Sequence, residues 1–275
     1  MLRFHFMQRW FTLSDPAMEE SLHDMPMLRE FAGLYGWSDR LPDKSTILRF
    51  RHLLEKHKLA AQILETVNAL LSCKRLLLRV GTVVDATLMA APSSTKNRSG
   101  ERDPEMHQSK KGNQWYFGMK AHIGVGAESG LVHAVRGTSG NVCDVFQANS
   151  LLHGQESEAF GDAAYQGAHE RPDATERVRW TIAMRPGKRA ALDKTQMLGQ
   201  WTEQLERLKT GKRVKVEHLF QVITRQFGYG TVRNRGLKKS TAPLTTLFAL
   251  SNLWMARKNL DALYGQVRPQ IGGLA

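Results

Sequence analysis

The sequence has only two cysteines, Cys73 and Cys143, far apart and in no CxxC pair. A disulfide framework is excluded, and the thiols read as buried or free in a reducing compartment. No apolar run is long enough to span a bilayer, and Met1-Leu2-Arg3-Phe4-His5-Phe6 meets charge too early for a signal peptide. No membrane partner is therefore expected, and the expected location is cytoplasmic, in association with the nucleoid. Gly112, Gly118, Gly124 and Gly126 fit no phosphate loop ending in Gly-Lys-Ser/Thr, so no nucleotide cofactor is expected. No serine sits in a nucleophile elbow. The ten histidines include no HExxH pair, and His122 and His218 have no cysteine nearby. Core or surface packing is the expectation for them, in place of metal binding. Internal repeats and low-complexity segments are missing as well.

What the sequence has in excess is positive charge. Lys and Arg number 39 against 26 Asp and Glu, a net charge of +13 and a pI near 10.0. Such a balance says little about fold, but it puts polyanions first among partners. The 275 residues suffice for one large domain or two small ones with a full hydrophobic core.

Residues 1–75 have helical patterning. Leu54, Leu59, Ile63, Leu64, Val67, Leu70 and Leu71 recur mostly at spacings of three and four, the signature of one apolar helix face. Asp43 or Ser45 suits the cap of a helix beginning after Pro42. Two readings stay open for this region, a helix-turn-helix reader of DNA and an all-α dimerisation or packing unit. After Arg79 the pattern changes. Thr82-Val83-Val84 reads as a short buried strand and residues 92–112 as a polar loop. Residues 115–125 and 130–135 read as strands joined across Glu128-Ser129-Gly130. A helix over 144–152, short strands at 159–160 and 180–184, and helices over 195–208 and 215–227 complete the expectation. The resulting fold class is α/β, a mixed sheet flanked by helices behind an N-terminal all-α region. The expected divisions are a helical region over 1–78, a catalytic domain over 79–260 and a tail over 261–275. Trp10, Trp37, Trp115, Trp180, Trp201 and Trp254 read as core anchors.

Three acids stand out within this layout. Asp85 closes the run Val83-Val84, Asp162 follows Phe160-Gly161, and Glu217 lies in the most basic stretch. Between Arg207 and Lys239 there are ten Lys and Arg and one acid, Glu217 itself. Alone, an Asp after a strand is usually a turn or cap, and a Glu on a helix is usually solvated. Together the three carry more weight, because an acid ending a buried strand is costly without a partner. One shared partner suits all three, a divalent cation: Mg²⁺ or Mn²⁺ takes carboxylate oxygens and keeps positions open for phosphates. Two such ions about 4 Å apart serve in-line displacement at a phosphodiester. Asp85, Asp162 and Glu217 are thus the candidate metal ligands and catalytic residues. Arg213, Lys215 and Arg225 flank Glu217 as candidate phosphate contacts, and Lys110, Lys111 and Lys120 form a second group near Asp85.

Longer stretches carry a resemblance. Val83–Thr87, Ala91–Lys96, Arg102–Gln108, Lys110–Trp115, Gly118–Val125, Asp162–Gly167 and Val216-Glu217-His218 closely resemble the IS-five-type insertion-sequence transposases, in the same order along nearly the whole chain. The resemblance implies a ribonuclease-H-like domain with a DDE triad. The triad falls on Asp85, Asp162 and Glu217, and an arginine four positions earlier falls on Arg213. An Asn and an Asp after the third strand fall on Asn141 and Asp144, a possible outer layer of the site. It also implies cleavage at the ends of a mobile element, exposing a 3′-hydroxyl that attacks target DNA directly, and a homo-oligomer that is at least a dimer. Two departures accompany it. The family's lysine seven residues after the Glu is Thr224 here, with Arg225 beside it. Members also carry several dozen residues before the segment that begins here at Met1, so a shortened helical region is expected. Two alternatives stay open: a nuclease of the same fold that does not join ends, and a DNA-binding relic or repressor.

Overall fold

The computed structural model describes residues 1–36, 39–78, 80–98 and 100–264. Five helices come first: α1 (Leu2–Trp10), α2 (Asp15–Asp24), α3 (Pro26–Ala32), α4 (Lys44–Lys56) and α5 (Leu59–Cys73). Local chemistry sets their ends. Ser14 caps α2 by accepting from Ala17 N at 3.3 Å, with proline in the first turn. Asp43 caps α4 by accepting from Thr46 N at 2.7 Å, the first of the two expected caps. Lys58, at φ 53°, breaks the apolar periodicity into two helices. On α5 the buried residues Ala60, Leu64, Asn68 and Leu71 form the inner face, while Leu70 turns outward at 45% exposure.

A six-stranded mixed sheet follows. It consists of β1 (Gly81–Ala90), β2 (His107–Lys111), β3 (Gln114–Gly126), β4 (Val132–Ser139), β5 (Glu158–Gly161) and β6 (Arg179–Ile182). The order is β2-β3-β1-β5-β6, with β4 also on β3. β2 and β4 share one edge of the long β3, pairing with its first and second halves, while β1 takes the other edge. β1, β5 and β6 run parallel, and the β1–β3 and β3–β4 pairs are antiparallel. Helices α6 (Pro186–Ala190), α7 (Met197–Gln221) and α8 (Leu237–Tyr264) complete the chain. The architecture is the expected α/β class, a ribonuclease-H-like mixed sheet with flanking helices behind an all-α N-terminal region.

Several local expectations are corrected. The stretch 92–112 is not all loop. It holds β2, which turns back through Gly112-Asn113, and Gly112 adopts φ 61° as a two-residue hairpin loop requires. Residues 144–151 form two short 3₁₀ turns in place of an α-helix. The helices expected over 195–208 and 215–227 are one continuous α7, because Gly211 is accommodated inside the helix. α7 passes directly into a π turn over Val222–Gln226. Asp85 is the fifth residue of a ten-residue strand, so it does not end β1. Trp115 and Trp201 are each 64% exposed, since hairpin tip and outer helix face reach no core. Trp10 does anchor the core, packing edge-on against Phe227 and Trp254 with centroids 5.0 and 5.8 Å away. Trp37, Arg79 and most of the expected tail, 265–275, lie outside the described residues. Both cysteines are free and exposed.

The 28-residue α8, which the sequence reading leaves unassigned, organises the core. Leu244, Leu247, Phe248, Ala249 and Leu250 are buried against the sheet together with Val216 and Leu219 of α7 and Leu64 of α5. Pro243 lies inside α8 and deprives the Lys239 carbonyl of its helical donor. Asn234 Nδ2 donates to that carbonyl instead, at 3.1 Å. α1 to α4 enclose a smaller cluster of Phe4, Met7, Met18, Leu22, Leu28 and Ile47. A buried polar junction joins helices to sheet. Asn252 Nδ2 donates to Asn68 Oδ1 at 2.8 Å and to Val132 O at 2.7 Å, and its Oδ1 accepts from Val132 N at 2.8 Å. Asn252→Ala strands these buried partners, so the expected loss is about 2–4 kcal/mol of folding stability. Urea unfolding of the variant should show a lower midpoint at an unchanged slope. A loss below about 0.5 kcal/mol would show that the junction is dispensable.

Candidate active site

The parallel β1–β5 pair lines up two of the acids. Its last register pair is Val83 with Phe160, and Asp85 and Asp162 each stand two residues beyond it. Side chains alternate along a strand, so Asp85 shares the face of Val83, which is buried with Val216 and Leu219 of α7. Val84, on the opposite face, is buried with Tyr165, Ala148 and Leu151. Asp85 thus leaves the core where β1 outruns its partner, on the side that α7 covers.

Each acid is held locally. Asp85 Oδ1 accepts from Ala86 N at 2.8 Å, and Asp162 Oδ1 caps a 3₁₀ turn by accepting from Ala164 N at 2.9 Å. Asp144, in the 3₁₀ turn after β4, accepts from Lys120 Nζ at 2.9 Å and lies 3.9 Å from His122 Nδ1. Burial pushes the Asp85 carboxyl up to about 6. The Ala86 N–H and the Arg213 charge oppose this, while the Asp162 and Asp144 charges add to it. Burial also lowers His122 to about 4, against the pull of Asp144 and with the help of Lys120, so the imidazole is neutral at physiological pH.

Cations meet this charge from two sides. Arg213 Nη2 on α7 lies 3.9 Å from Asp162 Oδ2, and its buried Nε has no hydrogen-bond partner among the described residues. Lys120 Nζ is spent on Asp144 and on the Val142 carbonyl at 2.9 Å. Lys215 Nζ donates to the Ala127 and Glu128 carbonyls at 2.9 and 2.8 Å, which ties α7 to the β3–β4 turn. Lys110, Lys111 and Arg225 are exposed. Asn141 is exposed and accepts from Ser139 Oγ at 2.8 Å. Glu217 is one turn beyond Arg213 on the same helix face, exposed, and makes no hydrogen bond or ion pair among the described residues. The structure therefore gathers Asp85, Asp162, Asp144, Arg213 and Lys120, with Glu217 beside the cluster and the hairpin lysines farther out.

Two features escaped the sequence reading. Tyr165 is fully buried, its hydroxyl has no partner among the described residues, and the charges of Asp144, Asp85 and Asp162 all bear on it. Its position one 3₁₀ turn after Asp162 was the available signal. The π turn is the other. Its i→i+5 bonding, seen in Phe227 N donating to Val222 O at 3.1 Å, places one extra residue in the turn. Arg225, eight residues after Glu217, lies within this turn and is exposed. Thr224 Oγ1 donates back to the Phe220 carbonyl at 2.8 Å.

Residues 77–253 match the family model of a transposase DDE domain, and residues 1–53 match a transposase domain model. The chain belongs to the DDE transposase family. No solved structure matches it. Membership makes this a transposase, in the general class of polynucleotidyl transferases and nucleases, with DNA as its partner and divalent ions as the family's general requirement. The site fits such ions: Asp85 is buried, which makes it protonate more readily than usual, and the like charges of Asp162 and Asp144 add to the effect. Among the described residues no helix is long and apolar enough to cross a membrane.

The raised Asp85 has a consequence for stability. A carboxyl whose folded value exceeds its ordinary 3.8 binds protons better in the folded state, so stability falls as pH rises from about 4 to about 6. In divalent-free buffer near pH 7.5, Asp85→Asn should therefore be more stable than the parent by about 1–2 kcal/mol. Near pH 4 the difference should vanish. Denaturant titrations at the two pH values test this, and equal stabilities near pH 7.5 would refute it.

Proposed function

We propose that this transposase, of the IS-five insertion-sequence type, cleaves the ends of its element and joins the exposed 3′-hydroxyls to target DNA. The observation that carries the reading is the register-matched placement of Asp85 and Asp162 under Arg213 of α7, with Glu217 one turn further on. In this reading Asp85, Asp162 and Glu217 hold Mg²⁺ or Mn²⁺, and Asp144 stands behind them. When bound, the ions supply charge stabilisation at the attacking and leaving oxygens of the phosphodiester. The chain's own residues do the rest. Arg213, with its Nη2 3.9 Å from Asp162 Oδ2, donates through its guanidinium to a non-bridging phosphate oxygen. Arg225, exposed within the π turn, contacts flanking phosphate. Lys110 and Lys111 reach DNA from the β2–β3 hairpin. Lys120 and Lys215 support the site by positioning Asp144 and α7, which replaces the phosphate contacts first expected of them.

Two displacements follow. Water attacks the phosphorus at the element end, the bond to the 3′ oxygen breaks, and that oxygen leaves as a hydroxyl after taking a proton. The 3′-hydroxyl then attacks a target phosphodiester, forming one P–O bond and breaking another. No protein nucleophile is required. The division into a DNA-engaging region over 1–78 and a catalytic domain over 79–260 belongs to the same proposal, as do pairing of two ends by a homo-oligomer and a place at the nucleoid.

The test is Mn²⁺-dependent cleavage of a supercoiled plasmid carrying the element ends, followed by joining of a pre-cleaved end to target DNA. Asp162→Ala and Glu217→Gln should each lower cleavage by more than about 10³-fold while retaining DNA binding. Arg213→Ala should weaken both binding and cleavage. Cleavage without any joined product would replace the transfer reading with a simple nuclease. Cleavage surviving in Asp162→Ala would remove that residue from the metal set.

A further inference from the structure

On the far side of Thr82 from Asp85 lies a second group of ligand-type side chains. His133 of β4, with His153 and Glu156 from the segment leading into β5, present one ligand atom each within 4.8 Å of one another. His153 Nε2 lies 3.4 Å from Glu156 Oε1, and the two imidazole rings are 4.9 Å apart at 75°. Glu156 is 4% exposed and rigidly held. Its Oε1 accepts from Thr82 Oγ1 at 2.9 Å and from His153 N at 2.5 Å, and its Oε2 accepts from Gly154 N at 2.7 Å. Thr82 Oγ1 also lies 3.0 Å from His133 Nε2.

We propose that His133, His153 and Glu156 form a zinc site, separate from the Asp85–Asp162 site. Two imidazole nitrogens and one carboxylate oxygen suit Zn²⁺ and disfavour Mg²⁺, which takes oxygen ligands. Bonds of about 2.0–2.1 Å in a tetrahedron place ligand atoms about 3.3 Å apart. The His153–Glu156 separation already has that value, and closure brings the His133 ligand atom in from a separation of at most 4.8 Å. The outer layer is in place, since the Thr82 hydroxyl and two backbone N–H groups fix the carboxylate. Binding through Nε2 moves the His153 ring proton to Nδ1. The 3.2 Å contact that Nδ1 accepts from Gln155 N and the Thr82–His133 contact are among those the site gives up. An entry path exists: His133 and His153 line a groove of about 860 Å³ between α5, β4 and α8, which leaves the fourth position open to water. Zinc here ties β4 to the segment preceding β5, across β3 and β1. It therefore staples the strand pair that carries Asp85 and Asp162.

The experiment uses full-length protein stripped of metal, in an Asp85→Asn/Asp162→Asn background so that the acidic site cannot take the probe. Titration with Co²⁺ alone should develop the visible band of a tetrahedral ion at one equivalent, and Zn²⁺ should displace it. At a hundredfold excess of Zn²⁺ over its Kd the melting temperature should rise by on the order of 5 °C, and Mg²⁺ should leave it unchanged. His153→Gln and His133→Gln, checked for folding by circular dichroism, should each weaken Co²⁺ binding by at least about tenfold. A folded parent that binds no Co²⁺ would overturn the proposal, as would variants that bind it as well as the parent. Neither result bears on the acidic site, which is absent from every sample.

Discussion

The active-site geometry depends on a parallel pairing of only three residue pairs, Gly81–Val83 of β1 against Glu158–Phe160 of β5. Parallel strands need a long connection, and here the intervening chain contributes β2, β3 and β4 before returning. Past Val83 and Phe160 the strands no longer bond to each other, and each delivers an aspartate two residues later. A slip of one residue would turn one of the two carboxylates to the opposite face of the sheet. Register is protected by burial on both faces, with Val83 packed toward α7 and α8 and Val84 toward Tyr165.

Gathering acids at that point has an electrostatic cost that the protein only partly offsets. Asp85 gains one backbone N–H and the distant charge of Arg213, and Asp162 shares Arg213 at 3.9 Å. Asp144 is better served, with the Lys120 ammonium at 2.9 Å. Burial, reinforced by the Asp162 and Asp144 charges, pushes the Asp85 carboxyl up to about 6. A fully neutralised cluster would have no use for a cation, and an uncompensated one would oppose folding more strongly. The intermediate state lets the surrounding fold hold the carboxylates together before any ion arrives. Tyr165, buried with an unpartnered hydroxyl among the same charges, belongs to that balance.

How much of this was legible in the sequence depended on how local the signal was. Asp43 as a cap, the Gly130 hairpin and the strand before Asp162 were readable because a few adjacent residues determine them. The class of the fold followed from the change from 3.6-residue to alternating periodicity near residue 80. The β2 hairpin was missed because its polar strand resembles a loop, although Gly112-Asn113 is a recognised turn pair. α7 was split because Gly211 reads as a break, yet buried Val216 and Leu219 and the flanking turns carry the helix through it. The roles of Lys120 and Lys215 were beyond reach, since only the folded chain shows which carbonyls and carboxylates surround a lysine. The pairing of His133 with His153 joins residues twenty apart in sequence, and no spacing rule covers it.

α8 explains why the N-terminal helices and the sheet must behave as one body. Its inner face completes the sheet's hydrophobic core, and it also takes Leu64 and Asn68 of α5 and the edge-on Trp10 of α1. The buried Asn252 junction reaches a helix and a strand with one side chain, so a shift of α5 breaks the Asn68 bond to the same side chain that holds Val132 of β4. β4 pairs with β3, and β3 pairs with β1 through the register that includes Asp85. Displacement of the helical region is therefore transmitted along hydrogen-bonded neighbours to the strand carrying the first aspartate. A flexible tether would leave the helical region free of the sheet, whereas this packing joins the two through the buried face of α8 and the Asn68–Asn252 bond.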